Sequence, residues 1–268
     1  MARFVAFLCA ASCALTVTAA KNVTYPATVE VDVVFPRNDT YGVAPVFPFV
    51  FAVQNLAAAS PITPFEVFWG LIKHGSDQTL AGNQTLDTTD SANLHYVNLW
   101  TGQLNGTESA GTYELVWNFF YYKCLGEKSN PGTSSGSQGG NFVFTLEAGA
   151  QQPDLATVLD ACPAQNATIQ ITDTWSMSAS SSQDTCGVIA NRHPEANPCA
   201  AKLDSAAVSS IAAELTASAC AASPPALTSG CLSSTQTTKE NAGSRVPAWT
   251  GLGILVGPLL AGLVSFAL

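Results

Sequence analysis

The sequence has few charged residues, and very few of them are basic. Lys and Arg together number 10 among 268 residues, against 19 Asp and Glu, and the formal net charge is −9 at pH 7. Proteins that bind nucleic acids by charge neutralise phosphates with clustered Lys and Arg. The shortage of both residues therefore argues against a nucleic-acid partner, and an acidic surface favours solubility instead.

Closely spaced metal ligands are also missing. The three His residues, His74, His95 and His193, lie far from the Cys residues in sequence, and the chain has no C-x-x-C pair. Zinc sites need such spacing. We therefore expect no metal and no cofactor.

Two sequence patterns resemble catalytic motifs but lack the structural context that those motifs require. The run around Ser134 matches G-x-S-x-G, but more Gly and Ser follow it where a hydrolase elbow requires a helix. Glu30 and Asp32 lie two residues apart on one face of a predicted strand, as a carboxylate pair would. A solvated strand face explains these two acids more simply. No catalytic residue is predicted.

The N-terminus has the form of a secretory signal peptide. Arg3 supplies a positive start, the run from Phe4 to Val17 is almost wholly apolar, and small residues follow up to Ala20. The alternative is a retained membrane helix, but the apolar run falls short of the roughly 20 residues that a bilayer needs. We predict cleavage near Ala20.

The C-terminus has the order of residues that directs attachment of a glycosylphosphatidylinositol (GPI) lipid. A triplet of small residues begins at Asn241, a short spacer follows, and residues 251–268 carry no charge. Such a tail is removed when the lipid is attached, here at Asn241 with Gly243 as the second choice. The alternatives are a single-pass helix, which usually carries a cytoplasmic Lys or Arg, and a buried C-terminal strand or helix. Processing at both ends leaves eight basic and 19 acidic residues, a net charge of −11.

The Cys residues of the mature chain predict a disulfide framework. Two of the eight Cys lie in the signal peptide, and six remain. In an oxidising compartment these predict three disulfides, for which 15 pairings exist. We predict that Cys124, before a long loop, pairs with Cys162, just past the sixth strand. The others then pair among themselves: Cys186, Cys199, Cys220 and Cys231.

Sequons for N-glycosylation support the secretory assignment. Five occur, at Asn22, Asn38, Asn83, Asn105 and Asn166. Each modified Asn must face solvent. All five precede Cys186, so the glycans are expected on the first part of the molecule.

Alternating apolar residues predict six strands within residues 25–148 and a seventh at 167–172. In the first strand, Val29, Val31 and Val33 alternate with Glu30 and Asp32, which is typical of one buried and one solvated face. Short strands separated by turn residues indicate an antiparallel sandwich. The predicted core contains Val31, Phe49, Val67, Leu115, Trp117 and Phe144.

The later part of the chain is less regular. Residues 125–140 are rich in Gly and Ser and predict a long loop. Asn197-Pro198 predicts a helix start, and residues 199–221 one short and one longer helix. The fold class is thus mainly β: an antiparallel, immunoglobulin-like β-sandwich with a small helical, disulfide-linked C-terminal segment.

These patterns divide the chain into five parts. They are a signal peptide (1–20), a β-sandwich domain (21–150, extended by a strand at 166–173), a Cys-rich, partly helical segment (151–231), a stalk (232–241) and a removed GPI signal (242–268).

Two runs resemble a known but uncharacterised family. VTYPATVEVDVVFPRNDTY, followed by PVFPFVFAVQN, and the later NPCAAKLDSAAVSSIAAELTASAC are similar to secreted fungal proteins that carry the domain of unknown function numbered 7136. The resemblance covers roughly residues 23–231. It implies a fungal cell-surface or wall-associated protein, often with a GPI anchor, and it implies no activity and no site.

Three functions remain open. The first is a non-catalytic structural or shielding role at the plasma membrane or cell wall, with the GPI lipid as the membrane contact. The second is a module that binds cell-wall glycan or a surface protein through exposed aromatics. For that role Trp175 is the exposed candidate, since strand alternation places Trp69, Trp100 and Trp117 in the core. The third, a hydrolase, has the least support.

Overall fold

A computed structural model describes residues 23–177 and 184–227, together with Ser229 and Cys231. The predicted signal peptide, the sequon at Asn22, the predicted stalk, the predicted attachment site at Asn241 and the C-terminal tail lie outside the described residues. The described residues form ten strands and one α-helix: β1 (Ala27–Phe35), β2 (Thr40–Gly42), β3 (Phe47–Gln54), β4 (Phe65–Lys73), β5 (Thr79–Leu86), β6 (Leu94–Thr101), β7 (Gly111–Glu127), β8 (Asn130–Glu147), β9 (Gln165–Ser176), β10 (Thr185–Ile189) and α1 (Ser205–Ala221). Short 3₁₀ helices lie at Leu56–Ile62, Thr107–Ser109, Leu155–Val158 and Pro198–Ala201.

The strands form two five-stranded sheets. Sheet A has the order β10-β9-β1-β3-β6, and sheet B has the order β2-β8-β7-β4-β5. The strand pairings are antiparallel, except that the short β2 runs parallel to β8. The prediction of a mainly β chain is confirmed. The predicted strand count was too low, because β2, β5 and β10 are short or polar.

Aromatic side chains of the two sheets meet in one core. Phe49 of sheet A stacks on Trp69 of sheet B with ring centroids 4.3 Å apart, and Phe47 stacks on Phe144 at 5.2 Å. All six predicted core residues are buried, with exposed fractions of 1% or less. Since burial of such a side chain stabilises by about 1.5–3 kcal/mol, this shared core holds the sheets together.

The second face of sheet A is covered by the C-terminal layer, which we define as residues 193–221. Asn98 on β6 donates a hydrogen bond to Glu214 of α1 at 2.8 Å, and Trp100 donates to Ser218 at 2.9 Å. As a result β1 is buried on both faces. The prediction of a solvated face at Glu30 and Asp32 is therefore wrong, because a segment more than 160 positions later in the chain packs there.

The helices of the C-terminal layer follow their prediction. The 3₁₀ helix Pro198–Ala201 starts after Asn197, and α1 starts after Asp204, whose side chain accepts a hydrogen bond from the amide of Ala207. Ile211, Leu215 and Ala219 face the protein from α1. This narrow apolar stripe leaves much of the attachment to hydrogen bonds and disulfides.

The prediction of a long loop at 125–140 is wrong, because these residues form the end of a β-hairpin. β7 continues to Glu127 and turns directly into β8, whose residues pair with β7 from Asn130 onward. Gly136 and Gly140 lie under aromatic rings of β7: a Cβ on Gly136 would come within 2.7 Å of the Tyr121 ring. The glycines therefore leave room for large neighbours, which the composition alone does not reveal.

All six Cys residues that the structure describes are oxidised, as predicted, but the predicted pairing is wrong. Cys124 bonds to Cys186, Cys162 to Cys199, and Cys220 to Cys231. Since β7 extends past its expected end, Cys124 lies beside β10 rather than near Cys162. The backbone of Asp160 donates to the carbonyl of Leu203 at 3.0 Å, which brings Cys162 to the C-terminal layer.

Candidate functional site

The carboxyl pair on β1 is enclosed. Glu30 is 4% exposed and Asp32 is fully buried. Gln54 Nε2 donates to Asp32 Oδ2 at 2.8 Å and to the carbonyl of Asn197 at 3.0 Å, while the amide of Asn197 donates to Glu30 Oε2 at 2.8 Å. These hydrogen bonds join β1, β3 and the C-terminal layer.

The environment of Asp32 favours its protonated form. Burial raises the pKa of Asp32 to about 7, the hydrogen bond from Gln54 opposes this rise, and the charge of Glu30 adds to it. Apart from each other, Glu30 Oε1 and Asp32 Oδ1 have no hydrogen-bond partner among the residues that the structure describes. The pair therefore links layers of the fold, and a substrate would reach it only by displacing the C-terminal layer.

Ser134 does not lie on an elbow. It pairs with Lys123 within the β7–β8 hairpin, and β8 continues on both sides of it. The strand-to-helix turn that exposes a hydrolase nucleophile is thus not formed at this serine.

The histidines are dispersed, as their spacing suggests. His95 Nδ1 lies 2.9 Å from Asp90 Oδ2, His193 Nδ1 lies 2.9 Å from the carbonyl of Thr168, and His74 is exposed. Within the described residues no cluster of three or more His, Cys, Asp or Glu side chains could hold a metal ion.

The four tryptophans that the structure describes do not form a platform for a ligand. Trp69 and Trp117 are core residues, as alternation predicts, and Trp100 is half-buried beneath α1. Trp175, the candidate for an exposed aromatic, is half-buried on β9 opposite Cys186.

Four of the five sequons fall on described residues, and their Asn side chains are exposed: Asn38, Asn83, Asn105 and Asn166. Asn83 lies on β5, directly opposite Phe68 of β4. Asn166 lies on β9, directly opposite Asp32. The predicted solvent exposure of these four residues is confirmed, and their glycosylation remains a prediction.

The outer face of sheet B carries an aromatic row that the sequence did not single out. We use this name for Phe68, Phe120 and Tyr122, which are all half-buried. The rings of Phe68 and Phe120 have centroids 6.5 Å apart and those of Phe120 and Tyr122 5.3 Å apart, with near-perpendicular planes. The signal was present in the sequence, because these aromatics occupy the solvent-facing positions of strands whose alternate residues are core.

A shallow depression lies beside the aromatic row. Its volume is about 350 Å³, and the outward-facing residues that line it are Val116, Asn118, Ser137, Gly139 and Asn141. It forms because β8 has the small residues Ser137 and Gly139 opposite Phe120 and Asn118 of β7. A Cβ on Gly139 would come within 2.0 Å of the Trp117 carbonyl, so only glycine fits the floor.

Polar side chains border this apolar surface, and their hydrogen bonds position them. Thr85 donates to Glu66 at 3.0 Å, and Asn141 donates to Glu114. The outer face of sheet B thus combines half-exposed aromatic rings with a few amides, hydroxyls and carboxylates held by hydrogen bonds. Exposed apolar patches with polar rims commonly mark binding surfaces.

The covalent chemistry of the chain indicates its compartment. One disulfide joins β7 to β10 and the other two involve the C-terminal layer, and such bonds persist in extracellular and secreted proteins. In the part of the chain that the structure describes, no helix has the length and apolar character needed to cross a bilayer.

Comparison with known proteins places the chain in a family. None of the curated proteins matches it. A family model described as a domain of unknown function, DUF7136, matches residues 24–229, which include both sheets and the C-terminal layer. The chain therefore belongs to the DUF7136 family.

Proposed function

We propose that this domain is a non-catalytic extracellular module that binds a neutral carbohydrate chain on the outer face of sheet B. The observation that carries the proposal is the aromatic row beside the depression over Gly139. Sugar rings present apolar C–H faces that pack on aromatic rings, while amides and hydroxyls bind their hydroxyl groups.

The chemistry of the surface favours a saccharide over a charged ligand. Its border has the carboxylates of Glu66 and Glu114, each engaged by a neutral neighbour, together with Asn118 and Asn141. An anionic ligand would meet like charge there. A neutral polyol offers both the donors and the acceptors that these groups can bind.

The fold and the cellular location that accompany this function are also part of the proposal. Two sheets with aromatic faces in contact support an immunoglobulin-like β-sandwich. The terminal sequence patterns support a GPI-anchored surface protein, and the resemblance of the sequence to secreted fungal proteins supports a location at the outer leaflet of the plasma membrane or in the cell wall, where polysaccharide is abundant.

The test is a screen of residues 21–241, produced in a secretory host, against a glycan array and insoluble cell-wall polysaccharides. Phe120→Ala should weaken saccharide binding about tenfold or more, the loss expected when a contact of about 1.4 kcal/mol is removed. Leu125→Ala, at an exposed apolar residue on the hairpin tip, is the matched control and should bind like the wild type. If the wild type, Phe120→Ala and Leu125→Ala bind saccharide with equal affinity, the proposed site is wrong.

A structural or shielding role is the second candidate, favoured by the four exposed sequons. It predicts no saccharide binding at all in the same screen. A hydrolase would instead release soluble products from the polysaccharide, and a loss of that activity in Ser134→Ala or Glu30→Gln would overturn the non-catalytic assignment.

A further inference from the structure

We propose that the glycan carried by Asn83 folds back on its own domain, so that its first sugar packs on Phe68 and covers that end of the aromatic row. The glycan is then a built-in occupant of the outer face of sheet B. Its effect on external ligands rests on the proposed function, whereas its effect on stability does not.

The register of β4 and β5 places the two groups together. Asn83 and Phe68 are direct cross-strand partners in an antiparallel pair. Such partners point to the same face of the sheet, with Cβ atoms about 4.5–5.5 Å apart. The attachment point of the glycan is therefore adjacent to the Phe68 ring.

The space around Asn83 is open to solvent on one side only, at the edge of sheet B. β5 is the edge strand of sheet B, and Asn83 is exposed, so the oligosaccharide has room to extend away from the sheet. Ala81, two residues before Asn83, is small, and the hydroxyl of Thr85, two residues after, is engaged by Glu66. The large apolar surface within reach of the first sugar is thus Phe68, with Phe120 behind it.

The other three sequons within the described residues lack this arrangement. Asn38 and Asn105 lie outside the strands, and the cross-strand partner of Asn166 is the buried Asp32 rather than an exposed ring. A specific role for Asn83 therefore follows from its position and not from the sequon, which all four share.

The experiment uses the secreted protein with its glycans trimmed to a single sugar. Asn83→Gln should lower the melting temperature by about 2–4 °C, the shift expected for one aromatic stacking contact in a domain of this size. In a Phe68→Leu background, which keeps an apolar side chain without a ring, Asn83→Gln should cause no further loss. Asn38→Gln is the matched control and should change the melting temperature by the same amount in the wild-type and Phe68→Leu backgrounds.

Two further measurements complete the test. The N-acetyl methyl resonance of the first sugar should shift upfield by the ring current of Phe68 and return to its free position in Phe68→Leu. An unmodified Asn83 in glycopeptide mapping, or an equal loss of melting temperature in both backgrounds, would overturn the inference.

The same variants separate this inference from the proposed function. If Asn83→Gln binds external saccharide more tightly than the wild type, the glycan competes for the site and both stand. If no variant binds saccharide while the coupling between Asn83 and Phe68 persists, the proposed function fails and the glycan contact stands.

Discussion

At the scale of single residues, the buried carboxyl of Asp32 ties stability to pH. Its pKa is raised from 3.8 to about 7, chiefly by burial. Between these values the folded state holds a proton that the unfolded chain has lost. The free energy of unfolding must therefore fall as the pH rises from about 4 to 7, by at most about 4 kcal/mol, since one pKa unit corresponds to about 1.4 kcal/mol.

Asp32→Asn should remove most of this dependence. The amide cannot ionise, so the variant should match the wild type near pH 4 and exceed its stability at pH 8, measured by chemical denaturation at each pH. Glu147→Gln, at an exposed acid, is the control and should leave the slope unchanged. A wild-type stability that is flat between pH 4 and 7 would contradict the enclosed carboxyl pair.

At the scale of strands and hairpins, the glycines of β8 have position-dependent roles. A Cβ on Gly136 would come within 2.7 Å of the Tyr121 ring, whereas a Cβ on Gly132 would find its nearest atom at 3.8 Å. Gly136→Ala should therefore destabilise by about 1–3 kcal/mol, as overpacking does. Gly132→Ala should be neutral or slightly stabilising. If urea denaturation gives the same free energy of unfolding for both variants, the Tyr121 ring does not need the space that Gly136 leaves.

The disulfides should differ in their contribution because they close loops of different length. Cys124 and Cys186 are separated by 62 residues, and Cys220 and Cys231 by 11. On the chain-entropy model, replacing the first pair with Ser should cost about 4 kcal/mol and the second about 3 kcal/mol. Non-reducing peptide mapping checks the pairing itself, and a Cys124–Cys162 peptide would contradict the structure.

The sequence predicted those elements whose cause is local. The alternation around Phe49, Val67 and Trp117 fixes which side of each strand is core, and Asn197-Pro198 fixes a helix start. Where the cause is distant, prediction failed. The hydrophilic residues of β1 are buried because the C-terminal layer covers them, and β8 is a strand because β7 is long enough to pair with it.

The candidate site was likewise predictable from the sequence only where its cause is local. Phe120 was visible as an aromatic at a solvent-facing position, but the row depends on β4 and β7 being neighbours, which sets Phe68 beside it. The depression depends on Gly139 being paired opposite Asn118. Neither of these cross-strand pairings can be predicted from the local alternation of apolar residues.

At the scale of the whole molecule, both ends of the encoded chain should be absent from the mature protein. Mass spectrometry of surface protein should find an N-terminus near Lys21 and no peptide beyond residue 243, because the tail has the order of a GPI signal. Phosphatidylinositol-specific phospholipase should release the protein from membranes. Peptides from residues 246–268 would contradict the GPI prediction and favour a membrane span.

The pairing of β1 with β9 also bears on the order of events during synthesis. β1 is synthesised early, yet all five strands of sheet B precede its partner β9 along the chain. Contacts so distant in sequence form late, so on the predicted secretory route Asn38, Asn83 and Asn105 would meet the oligosaccharyltransferase while the domain is still open. Asn166 lies within β9 itself, and the hydroxyl of its sequon residue Thr168 donates to the carbonyl of Pro194 once the C-terminal layer docks. Closure of the sheet thus competes with modification at this position, and glycopeptide mapping should find Asn166 the least occupied of the four.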